Sequence, residues 1–249
     1  MARSMTHQGR HAEARVLIET VISTSPAFFE AYDLKAHVCS EMGDLQAAQD
    51  TLVHVIGKSP RNFKRKRLLV GISLAKGDAR MASDLMNDIM ANDTMPGAVT
   101  ITDHLLHARA TFEAGDMVEA EKAIIRAGAI DVMGLNERFE LTALRAFICP
   151  NRGRDSFLAM RDVWLSSPMV PERLVDAQHA ALELGDNELA DQISARLMNE
   201  EGVRRVFQQA LSVYDKYGRQ QDFRNIQKQA AMARIKHIEA SAPPIAAAS

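Results

Sequence analysis

Hydrophobic side chains along this chain recur three and four residues apart, with polar residues between them. Leu17, Ile18, Val21 and Ile22 form one apolar stripe, and Leu52, Val55 and Ile56 repeat it. Such spacing gathers side chains on one face of a 3.6-residue helix, so the pattern predicts amphipathic α-helices. No Asn-Gly or Asp-Gly pair separates alternating runs, the usual signal of a β-hairpin. The expected class is all-α.

The breaks between helices are themselves periodic. Laid over one another, "HQGRHAEARVLIETVISTSP", "EMGDLQAAQDTLVHVIGKSP" and "AKGDARMASDLMNDIMANDT" place Gly9, Gly43 and Gly77 34 residues apart. Ala14, Ala48 and Ala82 keep the same step, as do Pro26 and Pro60. Gly115 and Ala120 continue the phrase after an insertion around Met95, Pro96 and Gly97, and Gly185 with Ala190 restores it. Gly153 and Gly218 read as degenerate copies of the glycine. A fixed period of this length is the mark of helix–turn–helix units that stack side by side.

Each recurring residue has a mechanical reason. Glycine follows a helix because the next residue often takes the left-handed conformation, which strains a residue bearing a Cβ. Asp44, Asp78, Asp116 and Asp186 follow those glycines and are placed to cap the next helix. Asp116 with Glu119 resembles a capping box. The alanine five residues past each glycine leaves room for two helices to cross closely. Pro26 and Pro60 stop the second helices, because proline disfavours α conformation in the residue before it.

These residues resemble the tetratricopeptide repeat (TPR) family. Its pattern of an aromatic, two small residues and a proline is met by Tyr32, Ala36, Ala48 and Pro60, and in part by Ala2, Ala14 and Pro26 and by Ala108 and Ala120. Lys35 and Val70 depart from it. The resemblance implies a right-handed α-solenoid of six to seven hairpins over 1–235, with a soft register at 131–170; the tail at 236–249, small, Pro-bearing and without a core face, is expected to be disordered. The stretches starting "EAYDLKAHVCSEMGD" and "LVDAQHAALELGDN" are also similar to the repeat region of bacterial receiver–TPR response regulators, without the receiver. Met1 falls near the seventh position of a unit, so the first repeat reads as truncated. A split gene product and a misassigned start codon both explain that. Part of the stripe at Leu17, Ile18 and Val21 should then be uncovered, and self-association through this N-terminal hairpin, or its fraying, is expected.

Composition narrows the job. A net charge of −2 gives no field directed at nucleic acid or an anionic membrane. No run reaches the ~18 apolar residues of a membrane span, and two distant cysteines fit a reducing cytoplasm. No phosphate-binding, nucleophile-elbow or zinc-protease motif occurs, so no catalytic residue and no cofactor is assigned. His104 and His107 could share a helical face as a metal pair, yet a site wants a third ligand, so no metal is assigned and a metal-dependent enzyme stays a minor rival. His7 and His11 are separated by the turn at Gly9. The "NFKRKR" segment within 58–67 is the single concentrated charge. It reads as a solvated helix end, as a surface for an acidic protein partner, or, as the alternative, as a nucleic-acid site. Trp164 and the methionines of "RMASDLMNDIM" read as packing groups.

By resemblance, first helices line a groove that holds a partner peptide. The family's groove positions fall on Asp33, His37, Lys64, Arg67, Arg109 and Glu113, with Arg65 and Lys66 directed elsewhere. The asparagines of the family's carboxylate clamp are missing, which argues against a chaperone C-terminus as the ligand. The expected function is a protein–protein interaction scaffold in bacterial signalling, with an acidic partner.

Overall fold

A computed structural model describes residues 2–92, 99–131, 133–200 and 203–241. The expected insertion at 95–97 and the tail beyond Ser241 lie outside the described residues. Fifteen helices and no strand occur among the described residues. The chain divides into two compact units, Met1–Ala129 and Ile130–Ser249.

In the first unit α1 (Ala2–His7), α2 (His11–Thr24), α3 (Phe29–Glu41), α4 (Leu45–Lys58), α5 (Phe63–Lys76), α6 (Ala79–Asn92), α7 (Ile101–Glu113) and α8 (Met117–Gly128) each pack on the next. The odd-numbered helices are the first helices of hairpins and the even-numbered ones the second. Gly9, Gly43, Gly77 and Gly115 stand at the turns with φ between 74° and 86°, as the sequence pattern requires. Asp44, Asp78 and Asp116 accept from the backbone N–H three residues on. Ala14, Ala48, Ala82 and Ala120 are fully buried where helices cross. Leu52, Val55, Leu69 and Ile72 fill the space between them with Tyr32.

Three local readings change. Glu119 does not close a capping box with Asp116; it accepts from Lys122 and Arg126 instead. The reciprocal box belongs to Thr100 and Asp103, at the start of α7. Near the N-terminus Ile18 is covered, with Ala2 and Met5 of α1 packed against its cluster, while Val21 remains 40% exposed. The stripe is therefore bare at its edge and closed at its centre.

The second unit holds α9 (Leu135–Ile148), α10 (Pro150–Leu158), α11 (Arg161–Ser166), α12 (Pro171–Glu183), α13 (Asn187–Leu197), α14 (Val203–Lys216) and α15 (Gln220–Ser241). α12 packs on α9, α13 and α14, and α15 on α13 and α14. Gly185 and Gly218 repeat the positive-φ turn, and Asp186 caps α13. Gly153 does not: it lies inside α10, where a Cβ would fall 2.5 Å from Ala146 backbone atoms. Its glycine serves close helix contact, and the chain turns into α10 at Cys149, with Pro150 as the first helical residue. Trp164 is fully buried and donates to the Phe157 carbonyl at 3.1 Å, a packing role as expected. α15 carries helix past residue 235, so the first part of the expected tail is helical.

Candidate functional site

The basic run opens α5. Asn62 caps the helix by accepting from the Arg65 N–H at 3.1 Å, which fixes where the first turn begins. Successive side chains then leave the helix about 100° apart, so four adjacent cations cannot share one direction. Arg65 turns to α3, where its Nε and Nη2 meet the two oxygens of Asp33 at 2.6 and 3.1 Å. Its guanidinium also lies 5.4 Å from the centre of the Phe29 ring. Arg67 turns to α7 and grips Asp103 with Nε at 2.5 Å and Nη2 at 3.2 Å. Lys66 pairs with Asp88 of α6 and sits 5.0 Å from the Phe63 ring centre. Lys64 is the member of the run left exposed.

The geometry revises how the run works. Two arginines clamp α5 to the first helices on either side through paired, planar contacts, the strongest geometry available to an ion pair. Arg65 was expected to point away from the expected groove set, yet its partner is Asp33, a member of that set. Asp103 is buried, its relative exposure being 3%. Burial pushes its carboxyl up, but hydrogen bonds from Arg67 and Thr100 outweigh that and hold it below its ordinary value.

Beyond the clamp, Lys64, Arg67 and Gly71 lie at i, i+3 and i+7 on one face of α5. Gly71 is exposed in mid-helix, and a Cβ there would have no heavy atom within 4 Å. His37 on α3 and Arg109 on α7 occupy the same place as Gly71, six residues before a turn glycine. His37 and Glu113 are exposed, and Arg109 is half-buried. The 34-residue register puts Gly71 at this place, although it offers no side chain to mark it. His179 of α12 occupies the equivalent place before Gly185. Its ring stacks on Phe147 at 4.5 Å and meets Tyr217 edge-on at 5.9 Å, with Lys216 Nζ 3.3 Å from its Nε2.

The two histidines of α7 have different surroundings. His107 is buried, with Nε2 3.0 Å from Asn87 Oδ1 and its Nδ1 unpartnered. The Nδ1 of half-buried His104 is also unpartnered. Among the described residues no group of three or more His, Cys, Asp or Glu is placed to hold a metal ion. Burial lowers the pKa of both rings, helped by the Arg126 charge and opposed by Asp103 at His104 and by Glu119 and Asp116 at His107. The unfolded chain therefore takes up protons at higher pH than the native one. Stability of the first unit is expected to fall as pH drops below about 6.5, by at most about 1.4 kcal/mol per pH unit for each ring. Denaturant titrations at pH 7.5 and 5.5 check this, and the His104→Gln, His107→Gln double variant should flatten the difference.

Among the described residues no helix is long and apolar enough to cross a membrane. Compared with models of protein families and with curated proteins, the chain gives no match.

Proposed function

We propose that this protein is a non-enzymatic scaffold that holds a protein partner across its first helices. The observation that carries this is Gly71. A glycine in mid-helix costs about 1 kcal/mol relative to alanine. No heavy atom of the described residues lies within 4 Å of a Cβ placed there, which leaves the helix backbone open to something that approaches from outside. Lys64 and Arg67 flank that approach on the same helix face, with Asp33, His37, Arg109 and Glu113 assigned to it by register. In this reading the hairpins are TPR-type units of a right-handed solenoid, acting in the cytoplasm as a bacterial signalling adaptor. The partner presents acidic groups to Lys64 and a flat or extended backbone to Gly71.

The clamp dictates the test. Reversing Arg67 would break an internal pair, so the informative variants are Lys64→Glu and Gly71→Leu. Lys64→Glu should leave helicity and melting temperature unchanged, and Gly71→Leu should keep the helix and raise the melting temperature slightly, because leucine replaces a weaker helix former. Affinity capture from an extract of the source cells should lose the same protein from both, and Lys64→Glu should matter less at high salt. Recovery of an unchanged set of proteins by both variants would sink the proposal. Capture of nucleic acid in place of protein, lost with Lys64→Glu, would establish the nucleic-acid alternative.

A further inference from the structure

The solvent side of α5 has a pattern of its own. Lys64, Leu68, Gly71 and Ala75 stand at i, i+4, i+7 and i+11, a spacing that lines residues along one side of a helix, and all four are exposed. Leu68 is the one large apolar side chain among them, at 38% exposure. From Lys64 to Ala75 the row runs about 16 Å along the helix axis.

This row complements itself when it is reversed. Laid antiparallel on the same helix of a second copy, Leu68 falls opposite Gly71 and Lys64 opposite Ala75, in both directions. Each pair sets a long side chain against a short one. The charges agree with that arrangement. Glu41 on α3 and Glu113 on α7 stand at the level of Ala75, each two residues before a turn glycine, so acids flank the end that receives Lys64. Packed helices cross at an angle, and the Lys64 end of one copy therefore leans toward α3 or toward α7 of the other. The lean toward α3 brings it to Glu41 and carries Ala75 over Thr102. The opposite lean would carry Ala75 over Glu30 and strip water from that carboxylate. Lys64 and Glu41 are both exposed, and neither makes an ion pair among the described residues.

We propose that two copies of this chain pair through this face as a two-fold dimer, with α5 antiparallel on α5. Leu68 of each copy lies over Gly71 of the other, and Lys64 of each reaches Glu41 of the other. In such a dimer the same patch serves both subunits, the commonest form of oligomer. A patch about 16 Å by ~30 Å, three helices wide, covers roughly 500 Å² of each copy. Stable complexes bury about 800 Å² per partner, so this dimer is weak and exchanges with monomer. It covers the face assigned above to a protein partner; on that reading dimer and partner exclude one another, while the dimer itself does not depend on it.

Sedimentation velocity of the full chain at rising concentration tests this, with no partner present, so its outcome and that of the capture experiment are read separately. The wild type should pass reversibly from monomer to dimer. Leu68→Asp and Gly71→Leu should each weaken the dimer by about ten-fold or more, with circular dichroism showing the helices intact. Lys64→Glu should weaken it at low salt, and Glu41→Lys added to the same chain should restore it, because the pair is rebuilt with its signs exchanged. Val21→Asp, at the bare N-terminal edge, should leave the dimer as it is. A wild type that stays monomeric at every concentration would overturn the proposal. So would a dimer indifferent to Leu68→Asp, or one abolished by Val21→Asp. Failure of Glu41→Lys to restore Lys64→Glu would overturn the antiparallel pairing.

Discussion

Replacing Asp103 by alanine is expected to remove about 3–5 kcal/mol of stability from the first unit. The carboxylate does two jobs from a buried position: it closes the capping box with Thr100 and receives the Arg67 fork. Losing the bonds it accepts from the Thr100 N–H and hydroxyl costs about 1 kcal/mol, while the Thr100 cap on the backbone N–H of residue 103 remains. The larger part comes from leaving a partly buried guanidinium without its partner, since breaking a buried pair from one side is far worse than never having made it. Asp103→Leu combined with Arg67→Met should therefore recover much of the loss. Loss of far-ultraviolet circular dichroism in denaturant measures the effect. A difference below about 1 kcal/mol between wild type and Asp103→Ala would show that the clamp does not hold α5 to α7. The pH dependence has a definite sign. The folded-state pKa of Asp103 is depressed, so its contribution is full above the unfolded value of about 3.9 and disappears as pH falls through the folded value.

Gly153→Leu should destabilise the second unit by about 3 kcal/mol or more, the upper end of what overpacking does. A Cβ at Gly153 would lie 2.5 Å from the Cα and N of Ala146 and the carbonyl oxygen of Arg145. These are backbone atoms, which no rotamer change can move aside. Two helices would have to separate, and Phe157 and Leu144, both fully buried, would lose packing with them. Trp164 is the single tryptophan and is buried in this unit, so its fluorescence reports the transition directly. An unchanged midpoint would mean that α9 and α10 are not in close contact. Gly185→Ala is the contrasting case: its cost comes from the positive φ of 76°, with no atom near the new Cβ.

The two glycines show where reading a sequence succeeds and where it stops. Gly43, Gly77, Gly115 and Gly185 could be placed because a left-handed turn is a property of one residue and its immediate neighbours, and the 34-residue recurrence repeats it. Gly153 carries the same letter, but its reason lies in Ala146 and Arg145, on the preceding helix. Nothing local to residue 153 reveals that approach. Glu119 behaves similarly: three residues from Asp116 it looks like a box partner, but Arg126, a side chain two turns on, offers it a charge.

What the sequence by itself determined is the helical class, the turn glycines, the aspartate caps and the buried alanines at each crossing. Those follow from dihedral preferences, orphan backbone groups and helical periodicity, all of which act over a few residues. Only the tertiary structure decided what the basic run does. Arg65, Lys66 and Arg67 find their acids 32, 22 and 36 residues away, on three different helices. Which acid each meets depends on how each neighbouring helix is rotated about its axis. Rotation is set by the packing of Tyr32, Leu69, Val70 and Leu105 in the core, all of them buried. A one-residue change in that rotation turns a side chain by about 100°, enough to exchange a clamp for an exposed charge.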